Sequence, residues 1–234
     1  MLNSKLKEKF GSYRRYNSEE FSNEEPRQSD LVRWTGSFEQ LININNKNNS
    51  LLIWTRSLPL EVKSALKSQS ETTLAGFHKL LDAAHITQPI HEEINCHKSC
   101  PSSVRTWLAN DIINLVRLFI QVTKSNFVDI RLEWIHGDAC WKFHRDFVDI
   151  RLLTTYVGKT TEWVDKPFSE EALEKQRAYN KPINRLDPND VAIFTGCRQN
   201  PKNGIVHRSP PLRDSDEPRL FLCLNIPDPS SPSI

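Results

Sequence analysis

The chain has 234 residues, 38% of them hydrophobic and 26% charged, with a formal net charge of +2. That length suits one domain with appendages and supplies enough apolar side chains for a sizeable core. So mild a charge, with no block of Lys or Arg, argues against nucleic acid as a partner, and the longest apolar stretches, Ile112–Val122 and Arg219–Ile226, are too short to span a bilayer.

In chain order, residues 1–30 are rich in Ser, Asn, Glu, Lys and Arg, and this composition predicts a flexible polar tail. No apolar core of a secretory signal opens it, so the expectation is a soluble cytoplasmic protein. The Asn cluster over 43–49 reads as a turn and Leu51–Trp54 as a short buried strand. Pro59 and Glu61 suit the start of a helix. "ETTLAGFHKLLDAA" predicts a second helix, with Leu74, Phe77, Leu81 and Ala84 on one face. A third and clearest helix covers 103–123, with Val104, Leu108, Ile112, Leu115 and Phe119 in its apolar stripe and Ser102 or Ser103 as its cap. From residue 127 on, short β-branched and aromatic runs alternate with Gly, Pro, Asp and Asn, which predicts strands, with one charged insertion around 170–177 that reads as a short helix. The expected architecture is α+β: helices over 31–126 pack on a β core over 127–227 of sandwich or barrel type, followed by a tail over 228–234.

Five cysteines are present, at 96, 100, 140, 197 and 223. An odd number in a chain of this size argues against a disulfide framework. "CHKSC" (Cys96–Cys100), with His97 inside it and His91 upstream, reads either as a loop ended by Pro101 or as a zinc site, the loop being favoured because a structural zinc site usually takes a second pair of ligands.

The informative stretch is "GDACWKFHRD". On a strand, residues two apart share a face, so His144 and Asp146 can project together. An Fe(II) oxygenase needs two histidines and a carboxylate on one face of the metal. A single histidine follows Asp146 anywhere in the chain, His207 in "GIVHRSPP". It closes an apolar run, as a ligand at a strand end would. Then comes "PRLFLCLNI", in which Leu220, Leu222, Leu224 and Ile226 share one face and Arg219, Phe221, Cys223 and Asn225 the other. The aliphatic face should pack outward, which directs Arg219 inward, where a guanidinium can grip a carboxylate.

"FHRD", "IRLLTTYVG", "PNDVAIFTG" and "VHRS…PRLFLCLNI" together resemble, in order and pattern, the double-stranded β-helix (a cupin-like jelly roll) of the Fe(II)/2-oxoglutarate dioxygenases, prolyl-hydroxylase-like branch. "CWKFHRDFVDIRLLTTYVGKTTEWV", "GIVHRSPP" and, upstream, "LLIWTRSLP" more closely resemble a bacterial family known as domain of unknown function 1826. The dioxygenase resemblance implies iron held by His144, Asp146 and His207, and 2-oxoglutarate anchored by Arg219. Tyr156 or Thr154 would add a hydrogen bond to the anchored carboxylate, and Arg151 is a second candidate anchor. The substrate would be a small molecule or peptide, with neither nucleic acid nor membrane as partner. The other resemblance implies an alternative, a cupin-like divalent-metal binder linked to zinc homeostasis. Glu162 and Trp163 depart from the family's turn: Trp163 either plugs the barrel end or, with Glu162, lines its mouth. Cys140 is either a further ligand or packing.

Overall fold

A computed structural model gives the structure of the chain and describes residues 32–45, 49–202, 204–212 and 217–227. The tails expected over 1–30 and 228–234 lie outside the described residues. The strands are β1 (Val32–Thr35), β2 (Leu51–Trp54), β3 (Phe77–Asp82), β4 (Phe127–Ile135), β5 (Ile150–Val157), β6 (Glu162–Val164), β7 (Asn184–Arg185), β8 (Val191–Thr195), β9 (Val206–Arg208) and β10 (Arg219–Asn225). The α-helices are α1 (Leu60–Lys67), α2 (Thr87–Asn95), α3 (Ser102–Thr123) and α4 (Ser169–Lys175). Residues 38–45 form a 3-10 helix, where a turn was expected from Asn43 onward.

Seven strands form a major sheet in the order β1-β2-β8-β5-β10-β4-β3, antiparallel except for the β1–β2 pair. Three more form a minor sheet in the order β7-β6-β9. The architecture is thus mixed α and β around a large, mainly antiparallel sheet. The region 31–126 is not the helical layer expected of it, because β1, β2 and β3 all belong to the major sheet. "FHKLLD" is strand β3, not helix. Phe77 and Leu81 are four apart, a spacing that puts two side chains on one face of either element. Pairing along β4 decides for the strand, and the helix that follows, α2, begins only at Thr87.

The apolar face of α3 packs on the major sheet. Leu108, Ile112, Leu115 and Phe119 are buried against Leu132, Leu152, Leu220, Leu222 and Leu224. Pro101 stands at the N-terminal end of α3 and no side chain caps it, contrary to the expectation for Ser102 or Ser103. The opposite face of the sheet carries a smaller core in which Leu153, Ala192 and Phe194 meet Trp163, Leu186 and Ile205 from the region of the minor sheet. Each central strand of the major sheet therefore sends alternate residues to two different layers, one helical and one sheet-lined. Among the described residues no helix is long and apolar enough to cross a membrane.

Candidate metal centre

His144 and Asp146 do not sit on a regular strand. His144 makes a single bridge to His207, with each backbone N–H donating to the other's carbonyl at 3.0 Å. That bridge lays the segment beside β9 at the rim of the minor sheet. Two further contacts fix it. The amide of Gln176, at the end of α4, accepts from Phe143 N–H at 2.8 Å and donates to Phe143 C=O at 2.9 Å. Cys197 N–H donates to Asp146 C=O at 2.9 Å, where the chain passes so close that a Cβ on Gly196 would lie 2.1 Å from Val148 O. Glycine is the residue that permits this approach.

The result is a cluster of His144, Asp146 and His207 whose potential ligand atoms all lie within 4.8 Å of one another. It is the metal-capable cluster found among the described residues, and neither Cys96 nor Cys100 belongs to one. His144 Nε2 is 3.4 Å from Asp146 Oδ1, and His207 Nε2 is 3.3 Å from Asp146 Oδ2. Ligands at about 2.1 Å from one ion and at right angles stand roughly 3 Å apart, so the spacing suits one shared ion. Each imidazole Nδ1 faces a backbone carbonyl: His144 faces Lys142 O at 2.7 Å and His207 faces Ile205 O at 3.2 Å. A carbonyl can only accept, so Nδ1 carries a proton whether the ring is neutral or charged, and Nε2 is the nitrogen turned toward the cluster: protonated it donates to Asp146, and deprotonated it offers a lone pair to an ion.

Electrostatics point the same way. Burial works against an ionised Asp146, yet hydrogen bonds from His144 and His207, together with the charges of His207 and Arg151, hold its carboxyl well below the usual carboxylate range. Arg151, on β5, donates to Asp146 Oδ2 at 2.6 Å and to Asn225 Oδ1 at 2.7 Å. Arg151 is therefore committed to the carboxylate of the cluster, and the place of a second anchor, for which it was a candidate, is not where the structure puts it. Asp146 and His207 are buried, and the side chain of His144 is 35% exposed, so the cluster opens to solvent on the His144 side.

Arg219 opens β10 and points to the inter-sheet face, while Leu220, Leu222 and Leu224 enter the helical core as their parity requires. Gly158, at φ +84°, allows β10 to begin there, since a Cβ would lie 2.8 Å from Pro218 O. The Arg219 side chain is fully buried. It donates to Ser209 Oγ at 2.8 Å and, at the long limit, to Thr155 Oγ1 at 3.4 Å and Thr161 Oγ1 at 3.5 Å. Its guanidinium lies over the Phe221 ring at 5.1 Å. Its Nε has no partner, and among the described residues no carboxylate pairs with it. Burial pulls its pKa down to about 10, which leaves it charged at neutral pH. A buried cation with no carboxylate in direct contact costs on the order of several kcal/mol, which the charge of Glu162 offsets only in part.

Tyr156 and Thr154 are corrected by the same alternation. Arg151, Leu153 and Thr155 face the cluster, and Thr154 and Tyr156 face away from it. Tyr156 packs edge-on against Trp107 of α3 and donates to Asp111 Oδ2 at 2.7 Å, beside the buried Arg56–Asp111 pair. Thr154 is wholly buried with an unpartnered hydroxyl. The hydroxyls that do reach Arg219 belong to Thr155, Thr161 and Ser209, which motif matching passed over. Strand parity counted from Arg151 would have selected Thr155. Gln176 and Ser209 give no local signal.

Glu162 turns from the cluster to Arg185 and to Arg208, whose Nε is 2.8 Å away. Trp163 is buried and lines, with Leu51, Leu153, Thr161, Leu186, Ala192, Phe194, Ile205 and His207, a narrow inter-sheet pocket. Cys140 is exposed, with a left-handed backbone, and is not in the metal-capable cluster.

The solved structures similar to this one include dioxygenase for auxin oxidation 1 from Arabidopsis thaliana in complex with 2-oxoglutarate, at 11% identity over 87% of this chain and 94% of that one, TM-score 0.45. A prolyl-4-hydroxylase from Pseudomonas putida is similar at 11% identity over 80% and 96%, TM-score 0.40. AviO1 from Streptomyces viridochromogenes Tue57 is similar at 12% identity over 85% and 98%, TM-score 0.42. Likeness this distant says nothing of a site, whose chemistry lies in its own side chains. No curated protein matches the sequence. The family model described as "Protein of unknown function (DUF1826)" matches residues 36–225, and the chain belongs to that family.

Proposed function

We propose that this protein is a mononuclear non-haem Fe(II), 2-oxoglutarate-dependent dioxygenase of the hydroxylase type, with the space between its sheets as the interior of a double-stranded β-helix. His144, Asp146 and His207 would hold the ion. Two imidazole nitrogens and one carboxylate, with a side left open, are the donor set of Fe(II) oxygenases. The observation that carries the reading further is Arg219, a fully buried cation whose hydrogen-bond partners are hydroxyls. It is suited to the far carboxylate of a dicarboxylate whose other end reaches the ion. Iron with 2-oxoglutarate supplies the oxidising power for attack on an unreactive C–H bond.

The chain itself does the rest. The carbonyls of Lys142 and Ile205 hold both imidazoles with Nε2 forward. Arg151 keeps Asp146 ionised and oriented. Ser209, Thr155 and Thr161 complete the cradle around Arg219, and Leu153, Phe194, Trp163 and Ile205 exclude water from the interior beside it. The test is succinate formation from 2-oxoglutarate by Fe(II)-loaded protein in air. Slow turnover without added substrate, lost in His207→Ala, is expected; the absence of any 2-oxoglutarate consumption counts against the proposal. The alternative of a metal-homeostasis protein uses the same three ligands, which bind several first-row ions. It predicts ion binding without turnover, and it leaves the buried charge of Arg219 without an anion.

A further inference from the structure

Asp146 is the end of a row of polar side chains that crosses four strands of the major sheet. Arg151 on β5, Asn225 on β10 and Asp129 on β4 are direct cross-strand neighbours. Asn225 uses both ends of its amide: Oδ1 accepts from Arg151 Nε at 2.7 Å, and Nδ2 donates to Asp129 Oδ2 at 3.5 Å. Asp129 in turn meets His78 Nε2 of β3 at 2.5 Å and Arg131 Nε at 3.3 Å. The row reaches the surface at His78, whose side chain is 34% exposed.

We propose that Asn225 and Asp129 are positioning residues for the metal centre, acting on Asp146 through Arg151. The logic is one of matched ends. An arginine held only by Asp146 could follow that carboxylate into several rotamers. Arg151 is held by Asn225 as well, and Asp129, by accepting from the Asn225 Nδ2, favours the amide orientation that presents Oδ1 to Arg151, while Cys223 Sγ lies 3.6 Å from the same Nδ2. An amide between a cation and an anion satisfies both, whereas a carboxylate there would face Asp129 and an aliphatic chain would satisfy neither. Partners behind a ligand typically contribute about 10- to 100-fold in metal affinity, and here the support extends two residues beyond the ligand's own partner. The inference rests on the metal-centre reading above for its functional meaning, and its geometry can be tested without that reading.

The test uses the full chain and Mn(II) as probe, with three variants: Asn225→Leu, Asn225→Asp, and Asn225→Asp combined with Asp129→Asn. Asn225→Leu is expected to weaken Mn(II) binding at least about tenfold while the metal-free protein keeps a cooperative melt. Asn225→Asp alone is expected to be impaired as well, because it sets two carboxylates face to face. The double variant exchanges amide and acid, so position 225 keeps an acceptor for Arg151 and the 225–129 contact keeps one donor and one acceptor; only the 3.3 Å bond from exposed Arg131 to Asp129 Oδ2 is lost, and affinity is expected to return to within about threefold of the starting protein. A role limited to packing would not be rescued by that exchange. Wild-type affinity in Asn225→Leu, or a double variant as weak as either single one, overturns the proposal. Should the unaltered protein bind no divalent ion, the metal reading fails. A crystal structure of metal-free Asn225→Leu then decides the row by itself: Asp146 and Arg151 turned from their present positions sustains it, and both unmoved overturns it.

Discussion

Replacing Arg219 with methionine separates a residue kept for binding from one kept for stability. The guanidinium is fully buried, makes one good hydrogen bond, to Ser209, and has an unpartnered Nε. Burial brings its pKa from 12.5 to about 10, so keeping it charged costs on the order of 3 kcal/mol. The charged hydrogen bond to Ser209 returns about 1.5 to 3 kcal/mol. Methionine removes both and fills similar space, so the metal-free variant should be as stable as the parent or up to about 1–2 kcal/mol more stable. In a chain of this size that is a rise in melting midpoint of at most about 8 °C. Binding should behave in the opposite sense. Removing one partner of a buried charge pair costs about 2–5 kcal/mol, which weakens 2-oxoglutarate about 30-fold or more. At about 100 times its Kd a ligand stabilises by about 2.7 kcal/mol, so anaerobic melts with Mn(II), with and without 2-oxoglutarate, suffice. The parent should shift upward with 2-oxoglutarate and Arg219→Met should not. A variant destabilised by more than about 3 kcal/mol, or one that keeps the shift, refutes the reasoning.

Tyr156→Phe should lose the bond to Asp111 and about 1–2 kcal/mol of stability by urea unfolding, with Mn(II) and 2-oxoglutarate affinities unchanged, since its hydroxyl faces the helical layer. Asp190 is buried, and burial pushes its carboxyl up to about 6. Its unfavourable ionisation sets in as pH rises from the unfolded value of about 4 toward 6. Asp190→Asn should therefore gain about 1–3 kcal/mol at neutral pH relative to its effect at about pH 4, read from denaturant midpoints at the two values; an equal effect at both refutes it. Burial depresses the pKa of His144, but its hydrogen bonds to Asp146 and the Lys142 carbonyl and the Asp146 charge outweigh that and raise it. A raised value means that protonation of His144 stabilises the metal-free fold below the unfolded value of about 6.5, a contribution lost as pH rises through the folded value. An ion competes with that proton, so Mn(II) affinity should climb as pH rises above the unfolded value of about 6.5 and flatten once His144 has lost its proton. Calorimetric titrations from below that value upward check it, and a flat profile contradicts it.

The sequence disclosed most about the parts built on strict alternation. The aliphatic and polar faces of "RLFLCLN" separate as written, and Arg219 lies where parity puts it. The strands β4, β5, β6, β8, β9 and β10 follow runs with clear turn residues between them. Alternation also distinguishes the residues of β5. Arg151 facing Asp146 requires Thr155, and not Thr154 or Tyr156, to face Arg219. Strand β3 was illegible because four-residue spacing fits both periods, and only its pairing with β4 breaks the tie. Gln176, Ser209 and Asn225 were silent for another reason: each acts across a long stretch of chain, through contacts such as Gln176 with Phe143 that no local pattern encodes.

The most direct test of the central claim is an anaerobic titration of the protein with Fe(II) and then with 2-oxoglutarate, followed in the visible range. The account predicts a weak charge-transfer band that needs both components, is absent in His207→Ala, and needs far more 2-oxoglutarate in Arg219→Met. No band in the parent protein, or one that survives His207→Ala, would contradict it.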